Sequence, residues 1–132
     1  MTITVDTSAL VAIVLGEPDA ERYASALTQH AGDIDVSTAT LVETSIVLIA
    51  RQGEAAADDL TRLLQLTGTN AVPVDAAQQH AAVAAWRRFG KGRHPAALNM
   101  GDCFAYALAK TGGTALLYKG NDFAQTDIPA AI

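Results

Sequence analysis

Four carboxylates, Asp6, Glu43, Asp102 and Asp122, stand at or near the ends of expected strands and helices in a chain of 132 residues, of which only 17% are charged. If they converge, they form an all-oxygen site of the kind that holds Mg²⁺ over a phosphodiester. The chemistry would be that of a nuclease. Each acid also has a local structural role open to it. Glu43 follows Thr40 with capping-box spacing, and Asp102 follows Asn99 in the same way. Asp122, in Gly120-Asn121-Asp122, suits an ordinary turn. Asp6 directly follows the β-branched run Ile3 to Val5, and an unpaired acid there requires a partner or a cation.

The elements that must position these acids alternate. Ile3 to Val5 reads as a strand, and Thr7-Ser8 can cap the apolar helix through Leu15. Gly16-Glu17-Pro18 breaks that helix, and Asp19 opens a second one running to about His30. Ile34 to Val36 is a second strand. The Thr40–Glu43 pair opens a helix that Gly53 ends, and Glu54 to Thr67 forms another. Ala71 to Val74 is a third strand, placed at an edge by Pro73. Asp75 and Gln78 begin a helix to Phe89, and Gly90 to Pro95 form a polar loop. Asn99 caps a helix through Ala109, stopped by Gly112-Gly113, and Ala115 to Tyr118 make the last strand. This order predicts one α/β domain over residues 1–132, with a mainly parallel central sheet flanked by helices.

Composition bounds the function. Half the residues are hydrophobic, which suits a packed globular domain. The longest apolar run, Ala9 to Leu15, is far below the roughly 20 residues of a membrane span. No signal-peptide pattern precedes the first strand, and a single cysteine, Cys103, suits a reducing cytoplasm. The net charge of −5 argues against a broad basic surface for nucleic acid. Four of the nine basic residues nevertheless fall together as Arg87, Arg88, Lys91 and Arg93.

Three separated segments resemble the PIN-domain ribonucleases. They are Val5-Asp6-Thr7-Ser8-Ala9-Leu10, Leu41-Val42-Glu43-Thr44, and Leu98-Asn99-Met100-Gly101-Asp102-Cys103-Phe104-Ala105-Tyr106-Ala107-Leu108-Ala109. The tail, Leu116 to Phe123 with Thr126-Asp127-Ile128, extends the match, and the whole is similar to the VapC toxins of bacterial toxin–antitoxin pairs. The resemblance implies a metal-dependent endoribonuclease with Asp6, Glu43 and Asp102 as the metal site, Asp122 as a fourth acid, and Mg²⁺ or Mn²⁺ as the ion. It further implies a homodimer, inhibition by a VapB-type antitoxin, and transfer or ribosomal RNA loops as substrate. The chain departs from the commoner fourth motif, in which an acid stands where Gly120 or Asn121 does.

On this expectation Lys91 and Arg93, followed by Arg87 and Arg88, are the candidates for contact with the RNA backbone. Thr7 and Ser8 can bond a carboxylate or a phosphate oxygen, or simply cap the first helix. His30, His80 and His94 have no zinc-ligand spacing with one another or with Cys103. Trp86, Phe89 and Phe104 are expected in the core or at a dimer contact, because aromatics make up only 5% of the chain. Two rivals stand beside the nuclease. A haloacid-dehalogenase-type phosphohydrolase needs a second Asp two residues after the first, where this chain has Ser8. A non-catalytic RNA-binding module of the same fold would have no need of Asp6, Glu43 and Asp102.

Overall fold

The computed structural model describes all 132 residues. In chain order it contains β1 (Ile3–Val5), α1 (Thr7–Leu15), α2 (Ala20–Gln29), β2 (Ile34–Ser37), α3 (Thr38–Gln52), α4 (Glu54–Thr67), β3 (Asn70–Val72), α5 (Ala76–Phe89), α6 (Met100–Gly112) and β4 (Ala115–Leu117). A 3₁₀ turn at Phe123–Gln125 follows. The strands form a single parallel sheet in the order β3-β2-β1-β4, with Ile3 opposite both Ile34 and Ala115. The expected α/β class and the parallel sheet are both present. β3 is an edge strand that ends at Val72, because Pro73 has no N–H to add to the ladder.

Helices cover both faces of the sheet, so the central strand is buried throughout, and its one polar residue, Thr4, has its hydroxyl satisfied by Thr114 Oγ1 at 2.7 Å. One core packs Ile3, Val5, Ile34, Val36 and Leu117 against Leu10, Leu27, Leu48 and Leu60 of the helices. On the other face Leu116 packs with Phe89, Leu98, Tyr106 and Phe123. The alternation of Leu116 and Leu117 between the two cores is the period-2 geometry of a strand. The tail is held by Asp127, which accepts from Tyr106 Oη at 2.6 Å and Lys110 Nζ at 2.9 Å. The Tyr106 hydrogen bond, then that of Lys110, keeps the Asp127 carboxyl below its ordinary range. This tether buries Phe123 and Ile128.

Three helix boundaries differ from the sequence expectation, and two of them change the standing of the acids. α1 is capped by Asp6 itself, whose side chain accepts from Ser8 N, rather than by Thr7 or Ser8. α3 begins at Thr38 under a Ser37 cap, so Glu43 lies in its second turn and has no capping role. β2 runs straight into α3 with no loop between them, and this moves the helix start ahead of the Thr40–Glu43 pattern. α6 continues to Gly112 and ends at Gly113, whose φ of 66° suits a left-handed cap.

Candidate active site

In a parallel α/β sheet the ligand crevice lies beyond the carboxyl ends of the strands, where the strand order reverses. Here β1 leads to β2 and β3 on one side, and β4 returns to pair on the other. At the ends of β1 and β4 lies a cavity of about 310 Å³, lined by Asp6, Thr7, Ser8, Val11, Glu17, Glu43, Val47, Arg51, Asp102 and Lys119. Three of the four predicted acids therefore share one wall, although they come from the starts of α1 and α6 and the second turn of α3.

Each of these three carboxylates is held by a different device. Asp6 is 3% exposed. Its Oδ2 accepts from Ser8 N at 3.0 Å and Ser8 Oγ at 2.6 Å. Ser8 Oγ in turn accepts from Lys119 N at 2.9 Å, which ties α1 to the end of β4. Asp6 Oδ1 is buried without any hydrogen-bond partner. Glu43 Oε1 accepts from Thr7 Oγ1 at 2.6 Å, and Thr7 Oγ1 accepts from Thr44 Oγ1 at 2.9 Å. Asp102 forms a true capping box with Asn99: its Oδ2 accepts from Asn99 N at 3.0 Å, and its own N donates to Asn99 Oδ1 at 2.9 Å. The double role of cap and cavity wall falls to Asp102. Thr7 and Ser8 hold carboxylates rather than capping the helix.

Burial pushes the Asp6 carboxyl up to about 7 against the pull of the Ser8 hydrogen bonds, with the Asp102 and Glu43 charges adding to the rise. Burial likewise raises Asp102 to about 6, opposed by the Asn99 backbone bond and reinforced by Glu43 and Asp122. The Glu43 charge raises both Asp6 and Asp102, no cation lies within ion-pair distance of the three acids, and a divalent cation would supply the missing counter-charge. The side chains line the cavity without closing into a finished cluster of three ligands. Their chemistry and the orphaned Asp6 Oδ1 fit a hard cation that keeps several waters. Asp122 is exposed and outside the cavity lining, though near enough for its charge to act on Asp102.

The predicted basic cluster lies elsewhere. Arg88 pairs with Asp127 at 3.4 Å and sits 4.6 Å from the Phe89 ring. Arg93 donates from Nε to Arg87 O at 3.0 Å and lies 5.1 Å from the Trp86 ring. Neither these residues nor Arg87 and Lys91 line the carboxylate cavity. The cations that do are Arg51 and Lys119, which sequence reasoning passed over. Arg51 was open to detection, since Glu43, Val47 and Arg51 recur at i, i+4, i+8 on one helix face. Lys119 bonds Glu17 Oε1 at 3.0 Å and Asp19 Oδ1 at 2.9 Å, and no local pattern links those residues.

Gly101 is the other omission. An ideal Cβ at this position would lie 2.1 Å from Glu43 Oε2 and 2.5 Å from its Cδ, so the Glu43 carboxyl rests directly against the first turn of α6. A second cavity, of about 320 Å³, is lined by Gln79, Ala82, Val83, Trp86, Met100, Cys103 and Phe104. Burial pushes its one thiol, Cys103, up to about 11, so it holds no nucleophile ready at neutral pH.

Comparison with known proteins gives a consistent result. The family model described as PIN domain matches residues 3–129. A VapC ribonuclease of Mycobacterium bovis is 50% identical over 127 residues, covering 96% of this chain and 95% of its own. A ribonuclease VapC of Mycolicibacterium smegmatis is 48% identical over 128 residues, covering 97% and 98%. Among solved structures, the VapC20 toxin of Mycobacterium tuberculosis, described as cleaving the sarcin–ricin loop, superposes with a TM-score of 0.79 at 20% identity over 96% of both chains.

Proposed function

The chain belongs to the PIN-domain family, and from that premise we propose that it is a VapC-type endoribonuclease, the toxin of a toxin–antitoxin pair, that hydrolyses RNA phosphodiesters at the carboxylate cavity with a divalent metal. The observation that carries the site assignment is the meeting of Asp6, Glu43 and Asp102 at the carboxyl edge of the sheet, with one Asp6 oxygen buried and unbonded. Mg²⁺, or Mn²⁺ in its place, would be held by Asp6, Asp102 and Glu43. When bound, the ion lowers the pKa of a water and stabilises charge on the leaving oxygen. Ser8 fixes Asp6 through Oδ2 and leaves Oδ1 uncommitted, while Thr7 fixes Glu43 and the Asn99 N–H fixes Asp102. The site therefore arrives at its substrate with rotamers already set. Asp122, one step further out, adds negative charge beside Asp102 and is a more distant member of the same set.

Purified chain incubated with RNA is expected to cleave in Mg²⁺ or Mn²⁺ and to lose all cleavage in excess chelator, with recovery on adding metal back. Cleavage that persists in chelator would remove the metal from the proposal. RNA bound but never cut with either ion would favour the non-catalytic module. The dehalogenase-type alternative is set aside by the family match and by Ser8, which spends its hydroxyl on Asp6.

The partners follow from the same reading. They are a VapB-type antitoxin as inhibitor, a loop of transfer or ribosomal RNA as substrate, and a second copy of the chain. α3, α5 and the start of α6 present Val42, Ile46, Val83, Trp86 and Met100 to solvent, and Met100 and Phe104 join the 320 Å³ cavity to an apolar groove of about 490 Å³ along α3. A contiguous apolar face of this kind marks an interface. Sedimentation of the purified chain is expected to give a dimer that Ile46→Asp converts to monomer; a monomeric wild type at micromolar concentration would sink the dimer. No helix is long and apolar enough to cross a membrane. The proposal places the chain in the cytoplasm, where its RNA lies.

A further inference from the structure

Arg51 stands in the last turn of α3, two helical turns beyond Glu43 on the same face, and reaches the wall of the carboxylate cavity. The rise between the two residues is about 12 Å. Arg51 has no carboxylate within ion-pair distance, although an acidic cavity lies beside it. The cavity's other cation, Lys119, is already neutralised by Glu17 and Asp19. Arg51 is therefore the one cation on this wall whose charge is free for a ligand. Its guanidinium fork matches the two oxygens of a phosphate.

We propose that Arg51 is the phosphate-binding residue of the site, gripping the RNA backbone at a nucleotide flanking the bond that is cut. An acidic cleft repels a polyanion until metal is bound, and a free arginine at its rim supplies the attraction that the net charge of −5 denies to the rest of the surface. The charge also complements the carbonyl end of α3, a role worth a few tenths of a kcal/mol on an exposed helix end. The inference rests on the nuclease reading above, and its test separates the two.

Binding is measured by fluorescence anisotropy with a labelled single-stranded RNA oligonucleotide on the otherwise native chain, with Ca²⁺ in place of Mg²⁺, since Ca²⁺ fills an all-oxygen site but acidifies its bound water far less and leaves the probe intact. Arg51→Ala is expected to weaken binding about tenfold. It should also flatten the slope of log affinity against log salt by about 0.7. Arg51→Lys should recover most of the slope but only part of the affinity, because an ammonium keeps the charge and loses the fork. Arg62→Ala, which lines a separate groove with Ile13 and Val14 and not the carboxylate cavity, should change neither. In cleavage assays on the otherwise native chain, Arg51→Ala should raise KM with kcat nearly kept. Unchanged affinity and slope in Arg51→Ala would overturn the proposal, as would a loss matched in full by a fall in thermal midpoint. If the native chain fails to cleave RNA with any divalent ion, the nuclease reading falls, and the anisotropy result still decides the role of Arg51.

Discussion

Replacing Asp6 by Asn is expected to abolish RNA cleavage while making the metal-free chain more stable. The two effects share one cause. Asp6 is buried, one of its oxygens has no donor, and its carboxyl is raised to about 7. For an acid whose pKa is higher in the folded chain than in the unfolded one, the folded state binds more protons between the two values. Stability then falls as pH rises from about 4 to about 7. Asn removes this penalty but puts an NH₂ group in the place of Oδ1, where nothing accepts, so the net gain above pH 7 is on the order of 2 kcal/mol. For a domain of this size that is a rise of roughly 7 °C in thermal midpoint. The gain should shrink towards zero near pH 4.5. Outer-shell partners of a metal ligand typically carry a 10–100-fold effect, so loss of an inner ligand should lower kcat/KM by about 10³-fold or more. Thermal melts of both proteins from pH 4.5 to 8, in chelator and again in Mg²⁺, provide the check. The ion should raise the midpoint of the native chain and do little for the variant. Full activity in Asp6→Asn, or a midpoint difference flat across that range, would contradict the proposed role of Asp6 as a buried acid that holds the metal.

The second large effect comes from a residue with no side chain. Gly101→Ala is expected to leave the fold intact and to lower kcat about 100-fold. Within a helix, Ala is favoured over Gly by about 0.5–1 kcal/mol. The backbone at Gly101 is helical, so the substitution itself is unstrained. The added methyl would nevertheless lie 2.1 Å from Glu43 Oε2. Glu43 must swing away and give up its 2.6 Å bond from Thr7. Displacement of a positioned group by about 1 Å suffices for a loss of that order. The midpoint should hold or rise slightly while turnover falls, a combination that simple misfolding does not produce. In a Glu43→Ala background the same change should matter less than twofold, because the two residues act through one contact. Full activity in Gly101→Ala, or an equal loss with and without Glu43, would show that the contact is not what positions the acid.

Much of the fold was legible along the chain because its signals are local. Strand β1, the break at Gly16, the α4 range and the Asn99–Asp102 cap follow from residues within a few positions of one another. The errors arose where two local patterns competed. Thr40 and Glu43 have capping spacing, but the direct passage of β2 into α3 put the cap at Ser37. Thr7 and Ser8 are good caps by type, yet Asp6 occupies the cap and turns their hydroxyls to the carboxylates. In the charge cluster after α5, conspicuous in sequence, Arg88 and Arg93 meet Asp127, Phe89, Trp86 and a backbone carbonyl, and none of the four cations lines the carboxylate cavity.

By itself, the sequence determined the alternation of strands and helices, the parallel class of the sheet, and the identity and order of the acids, because helix and strand periods and caps are properties of neighbouring residues. Tertiary structure alone decided that Asp6, Glu43 and Asp102 share a wall, that Gly101 makes room for Glu43, and that Arg51 rather than the cations after α5 borders the site. Those facts depend on the order β3-β2-β1-β4, which sets the β1 and β4 ends side by side across more than a hundred residues of chain. No local pattern encodes that distance. It is settled by which faces the helices bury, and the charge left free at the rim follows from that packing.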